Sequence, residues 1–193
     1  MSYDVVMVGV GGQGIVLASN VLGNACVIEG RHVCGAETHG MSQRGGSVET
    51  YIRIDGEYGP LVERGSADLL ISFDAIEALR YSNFVKPDGI IITNTDMVIP
   101  TSVFTSKLPV PNIDDILSAL RSKHQKVISV NATELSKQIS NSSILINIIL
   151  LGIASHYLPL SVSSIRESIR QNVPPHSVDL NEQAFEMGIS VKL

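Results

Sequence analysis

Val5-Val6-Met7-Val8 runs straight into Gly9-Val10-Gly11-Gly12-Gln13-Gly14, and the order apolar run, glycine turn, helix decides how the rest of the chain is read. The run does not alternate, so it reads as a strand covered on both faces, as in a parallel sheet. Gly9, Gly11 and Gly14 fill the pattern G-x-G-x-x-G. In that pattern the first glycine allows a tight turn, the second lets a ligand approach the backbone, and the third lets helix pack on strand. Ile15, Ala18, Val21, Leu22, Ala25 and Ile28 then make a nearly all-round apolar helix, which must lie against a sheet. Gly9, Gly11, Gly12, Gln13 and Gly14 are therefore candidates for holding a phosphate at a helix N-terminus. Helix-on-strand packing asks for the same glycines, and the motif alone does not separate the two.

Further along, Thr38-His39-Gly40-Met41-Ser42-Gln43-Arg44-Gly45-Gly46 is a second glycine-rich segment, standing where a second crossover helix is expected. Glycines let backbone come close to a ligand, Arg44 offers a planar fork for phosphate or carboxylate, and His39 and Gln43 add hydrogen bonds. His39, Gln43, Arg44, Gly45 and Gly46 are the strongest candidates for a ligand-facing loop; a structural turn with Arg44 paired to a local carboxylate is the competing reading. Gly40-Met41-Ser42-Gln43-Arg44 misses the serine hydrolase elbow at its last position. A dinucleotide site would also need an acid near the end of the second strand, which Glu37 supplies if Arg31-His32-Val33-Cys34-Gly35 is that strand.

Ser47 to Ile54 alternates, with Val48, Ile52 and Ile54 on one face and Glu49, Tyr51 and Arg53 on the other, and Asp55-Gly56 signals a hairpin returning through Glu57 and Tyr58. Asp68-Leu69-Leu70-Ile71-Ser72-Phe73, Ile90-Ile91-Ile92-Thr93 and Val127-Ile128-Ser129-Val130 are further buried strands. Asp74 with Glu77 resembles a capping box, which makes Glu77 structural. Ligands in open α/β sheets sit outside the carboxyl ends of strands, so the two glycine segments, Phe73-Asp74 and Asn94-Thr95 share one rim. Asn94 is a weaker ligand candidate there, turn capping being its commoner role. Helical spacing follows over 133–139, 143–158 and 162–171, and a last helix starts near Ser177 and stops at Gly188.

These elements give an α/β fold: a Rossmann-like, mixed but mostly parallel sheet with an antiparallel hairpin and a helical C-terminal part. The expected organisation is one domain over 1–193, with an α/β core at 1–130 and C-terminal helices at 131–193. Only 17% of residues are charged and mean hydropathy is +0.23, so part of the apolar surplus is expected at a subunit interface. A net charge of -5 without a basic run argues against nucleic acid as a partner. Neither a secretion signal nor an apolar run of the ~20 residues needed to cross a bilayer is apparent, so the expectation is a cytoplasmic protein that does not enter a membrane. Two cysteines, Cys26 and Cys34, are too few for an iron–sulfur cluster, and no His, Cys, Asp or Glu spacing suits a metal.

Taken together, Gly9-Val10-Gly11-Gly12-Gln13-Gly14-Ile15, the segment at 38–49, and Asp68 through Arg80 resemble the gamma-domain family of 2-oxoacid:ferredoxin oxidoreductases, most of all its indolepyruvate branch. The likeness runs in register over 8–94, resumes in Asn181-Glu182-Gln183-Ala184-Phe185-Glu186-Met187-Gly188, and is only general over 95–175. It implies decarboxylation of an arylpyruvate on thiamine diphosphate with magnesium. It further implies electron transfer through iron–sulfur clusters to ferredoxin and delivery of the acyl group to coenzyme A. The chain has no G-D-G thiamine signature, so the resemblance puts those cofactors on a large alpha subunit and makes this chain an accessory subunit, inactive alone. A free-standing NAD- or FAD-binding oxidoreductase, using Gly9 to Gly14 and Glu37, is the alternative.

Overall fold

The structure is a computed structural model that describes residues 2–39, 46–57, 59–99, 103, 109–140 and 144–192, His39 by its backbone only. Strand β1 (Tyr3–Val10) leads to helix α1 (Ile15–Ile28), then β2 (Val33–His39) and β3 (Ser47–Ile54). Next come β4 (Ala67–Ser72), α2 (Ala75–Tyr81), β5 (Val85–Asn94), α3 (Ile113–Lys123) and β6 (Lys126–Val130). Four helices close the chain: α4 (Ala132–Ser140), α5 (Ile146–Ala154), α6 (Val162–Asn172) and α7 (Val178–Ile189).

The strands form one sheet in the order β2-β3-β1-β4-β5-β6. β1, β4, β5 and β6 are parallel, while β3 runs antiparallel to both of its neighbours, β1 and β2. As the uninterrupted apolar run requires, Val5, Val6, Met7 and Val8 are fully buried, with Val5 and Met7 in one core cluster and Val6 and Val8 in the other. α1, α5, α6 and α7 cover the first face; α2 and α3 cover the second. The helices after β1 and β4, two adjacent parallel strands, thus leave the sheet on opposite sides, which makes the carboxyl ends of β1 and β4 its topological switch point.

Two expectations need correction. The second strand spans Val33–His39, longer than the five residues from Arg31, because each of its residues finds a partner on β3, Val33 opposite Ile54 through His39 opposite Val48. Asp55 does take a left-handed turn, φ 55°, yet no strand returns after it among the described residues. Both edges of β3 are already paired, so the antiparallel hairpin is β2 with β3. The last helix, Val178–Ile189, matches the expected bounds to within one residue; a Cβ on Gly188 would lie 2.2 Å from the Ile149 carbonyl oxygen, and one on Gly152 would lie 2.4 Å from that of Phe185. The two glycines let α5 and α7 cross backbone to backbone.

Candidate functional site

At the switch point the glycine turn joins β1 to α1. A Cβ on Gly9 would lie 2.6 Å from Gln13 Oε1 and 2.9 Å from Phe73 Cβ, so this glycine is required for packing. Gln13 folds back over the turn: its Oε1 accepts from the Val10 N–H at 2.7 Å and its Nε2 donates to the Phe73 carbonyl at 3.3 Å. The Gln13 side chain therefore ties the end of β1 to that of β4, across the crevice where a doubly wound sheet receives its ligand. The Gly11 N–H donates to the Gly46 carbonyl at 2.9 Å, which joins the first glycine segment to the end of the second.

Gly14 is the N-cap of α1, in the left-handed region at φ 78°, where a side chain would meet Asn147 Nδ2 at 2.6 Å. Gly14 has no side chain with which to cap this helix, and the first turn holds no acid. The uncapped start faces a cleft of about 430 Å³, lined by Gly12, Gln13 and Gly14, by Asp96, Met97 and Val98 beyond β5, by Thr133 of α4 and by Asn147 of α5. Leu17, Ile144 and Asn147 also line a second, apolar limb of about 330 Å³ with Val173, Pro174 and Leu180. The first limb holds one carboxylate, Asp96, which accepts from the Thr133 hydroxyl, and no Lys or Arg among the described residues. An anion here would meet backbone N–H groups and the positive end of the helix dipole, and any cationic partner would have to come from elsewhere. A larger groove, about 830 Å³ along α4, α6 and α7, lies off this rim, and its Arg166 is paired with Glu186.

The other candidates scatter. Gly46 borders the turn through Gly11, and the backbone of His39 closes β2 opposite Val48. Gln43, Arg44 and Gly45 lie outside the described residues. Asn94 is fully buried: its Oδ1 accepts from the Ala132 N–H at 3.0 Å, and its Nδ2 donates to the Phe73 carbonyl at 3.4 Å and to Thr133 Oγ1 at 3.3 Å. That bonding binds the ends of β4 and β5 to the start of α4. Glu37 sits on the edge strand opposite Thr50, with β3 between it and β1. A dinucleotide site needs the acid on a parallel strand beside β1; antiparallel β3 occupies that place, so Glu37 does not reach the turn as a ribose ligand would.

The comparisons with known proteins bear on this geometry. Residues 4–191 match the family described as pyruvate ferredoxin/flavodoxin oxidoreductase. The chain belongs to this family. It is 38% identical over 190 residues to the indolepyruvate oxidoreductase subunit IorB of Archaeoglobus fulgidus, covering 97% of this chain and 94% of the relative. Identity to the subunit of the same name from Pyrococcus horikoshii is 39% over 191 residues, with the same coverage of each. Among solved structures, the gamma subunit of a keto/oxoacid ferredoxin oxidoreductase from Geobacter sulfurreducens superimposes with a TM-score of 0.72 at 26% identity, over 97% of this chain and 94% of that one.

As a member of this oxidoreductase family the chain invites a test for redox cofactors. Its two cysteines do not fit an iron–sulfur cluster. Cys26 is fully buried in the core on α1, where burial chiefly pushes its thiol up to about 11, away from the thiolate a metal needs. Cys34 lies apart on β2. Among the described residues no three His, Cys, Asp or Glu side chains are placed to hold a metal ion, and no helix is long and apolar enough to cross a membrane.

One feature of the family member's rim was not legible from spacing. Asp74 caps α2 with Oδ1, accepting from Ile76 N at 2.8 Å and Glu77 N at 3.1 Å, so Glu77 is free to reach across to the start of β3. There Glu77 Oε2 accepts from Ser47 Oγ at 2.6 Å, and its Oε1 pairs with Arg80 at 2.9 Å. Burial raises the Glu77 carboxyl above its ordinary range, against the pull of Ser47 and Arg80. The only sequence signal for this link was that Ser47 directly follows Gly46.

Proposed function

We propose that this chain is the small subunit of an indolepyruvate-type 2-oxoacid:ferredoxin oxidoreductase. The observation that carries the reading is the 38% and 39% identity, over 97% of the chain, to subunits named for indolepyruvate oxidation. In this reading an arylpyruvate loses carbon dioxide, its acyl group passes to the thiol of coenzyme A, and the released electron pair goes to ferredoxin one electron at a time. A large alpha subunit carries thiamine diphosphate, magnesium and the iron–sulfur clusters; the complex works in the cytoplasm, and this chain alone turns over nothing.

The contribution of this chain is a wall of the passage for coenzyme A or the oxoacid, formed by the Gly11-Gly12-Gln13-Gly14 turn with the segment at 38–46. Backbone N–H groups at the start of α1 receive a phosphate or carboxylate, Arg44 supplies the cation that the described cleft lacks, and His39 and Gln43 orient it.

An anaerobic affinity pull-down of the chain from its own cell extract tests the complex. A co-purifying large subunit containing iron and thiamine diphosphate is expected, with a panel of oxoacids then identifying the substrate; recovery of the chain alone, with saturable NADH binding, overturns the assignment. For the wall, Arg44→Ala is expected to assemble normally and to raise KM for coenzyme A or the oxoacid about tenfold, the loss of one charge-assisted hydrogen bond. Unchanged KM for both in an assembled complex rules the wall out, and loss of assembly makes the segment a subunit contact.

A further inference from the structure

We infer that Glu77 is a positioning residue of the passage: through Ser47 it holds the Gly46 carbonyl against the Gly11 N–H and so sets the glycine turn. The inference rests on the reading that this turn faces coenzyme A or substrate. An unbroken chain of contacts carries it. The Arg80 guanidinium lies 2.9 Å from Glu77 Oε1, Glu77 Oε2 accepts from Ser47 Oγ at 2.6 Å, and Ser47, the first residue of β3, pairs with Val10, the last residue of β1. One residue further toward the turn, Gly46 receives the Gly11 N–H at 2.9 Å.

A carboxylate at the third position of a helix ordinarily turns back on its own helix start. Here Asp74 accepts from the Ile76 and Glu77 N–H groups, and Glu77, only 4% exposed, is directed to another element. Burying a carboxylate is unfavourable unless donors meet it, so its place beneath the strand start is held by Ser47 and Arg80. The opposite stem is braced in a similar way, with Thr38 Oγ1 donating to Glu49 Oε1 at 2.7 Å, and the Tyr81 hydroxyl stands 3.4 Å from Ser47 Oγ. Among the described residues, Asp74, Glu49, Arg80, Tyr51 and Tyr81 are charged or titratable groups around this link. No part of it reaches the cleft directly; Glu77 acts on the turn only through Ser47 and Gly46.

The test uses the complete complex with Ser47→Ala, Glu77→Leu, both together, and Glu77→Gln, measuring kcat and KM for coenzyme A and for the oxoacid in preparations of wild-type subunit composition. Each of the first two is expected to raise one of the KM values about tenfold with little change in kcat, as for loss of a hydrogen bond to a carboxylate that positions a binding wall. The double substitution should be no worse than the worse single one, because both break the same link. Glu77→Gln, which still offers an acceptor to Ser47, should recover most of the loss. Assembled variants with wild-type KM values and only a lower melting temperature overturn the inference. Should Glu77→Leu not assemble, Ser47→Ala decides alone, since it leaves the Glu77–Arg80 pair in place. Arg44→Ala separates the two readings: if it raises KM and Ser47→Ala does not, the wall stands and the role of Glu77 falls.

Discussion

Two helices begin side by side on the carboxyl rim, and they begin differently. α2 starts after β4 with Asp74, whose Oδ1 accepts from Ile76 N and Glu77 N and whose Oδ2 accepts from Val98 N at 2.5 Å. α1 starts after β1 with Gly14, without a side-chain cap or an acid in its first turn, and faces a cleft. Each start carries roughly half a positive charge from its aligned peptides. At α2 that charge meets a carboxylate belonging to the protein; at α1 it does not. The difference separates a start capped by its own carboxylate from one that no N-cap side chain covers among the described residues.

Removing the built-in carboxylate is the strongest way to break the comparison. Asp74→Ala leaves three N–H groups without their acceptor, two at the helix start and that of Val98. A lost cap together with unsatisfied donors, that of Glu77 buried and those of Ile76 and Val98 partly so, should cost about 2 kcal/mol, read as the change in unfolding free energy in urea. Asp74→Asn keeps one acceptor oxygen and should recover more than half of it. A loss below about 1 kcal/mol for the alanine variant would mean that water replaces Asp74 and that the two starts differ little in stability.

At the other start the stability lies in shape. Gly14→Ala places a side chain at φ 78° and 2.6 Å from Asn147 Nδ2, an amide that is buried and donates to the Gly14 carbonyl at 3.3 Å. Left-handed backbone and overpacking together should cost about 2 kcal/mol. Asn147→Ala alone removes the hydrogen bond to the Gly14 carbonyl and the acceptor of the Ile148 N–H, so the clash is read from a cycle of the two single variants and the double one. A double variant that loses less than the sum of the singles locates part of the cost in the clash; strict additivity would mean that Asn147 had already moved aside.

Much of this rim could be read from local pattern, because its decisive features are local. Val5 to Gly14 gives strand, turn and uncapped helix within ten residues, and Asp74 announces a helix start by type alone. What could not be read depends on partners distant in sequence. Asp55-Gly56 has proper hairpin chemistry, and Asp55 adopts the turn, but the signal cannot tell that β3 is already paired on both sides. Gly188 reads as the end of a helix, and the helix does end beside it, but nothing local tells that Gly152 is brought against it from another helix. Gln13 lies where a ligand residue is expected, yet its amide reaches Phe73, sixty residues away, and Glu77 finds Ser47 thirty residues back rather than its own helix start. Composition and spacing place a residue on the rim; which way a polar side chain turns is decided by the neighbours the fold brings there.

The smallest effect sharpens the comparison by titration. Around the α2 start lies Glu77, whose carboxyl burial holds above its ordinary range, with Asp74 and Glu49 adding to the rise and Ser47 and Arg80 opposing it. Between the unfolded value, about 4.3, and the raised folded one, the folded chain keeps a proton that the unfolded chain has lost. Stability from this group therefore falls as pH climbs through that window and is level above it. Glu77→Gln cannot titrate, so the melting temperature of the wild type relative to this variant should decline across the window. Asp74, whose carboxyl burial also holds above its ordinary range, is coupled to Glu77, so the difference reads the two carboxyls together; Glu29 and Asp55, held below their ordinary range, lose their contribution as pH falls but are common to both proteins and cancel. At α1 the start itself has nothing to titrate, and the offset between Gly14→Ala and the wild type should stay constant over the same range. If the difference between wild type and Glu77→Gln grew with pH instead, Arg80 and Ser47 would outweigh burial, and Glu77 would be a net stabiliser in its charged form.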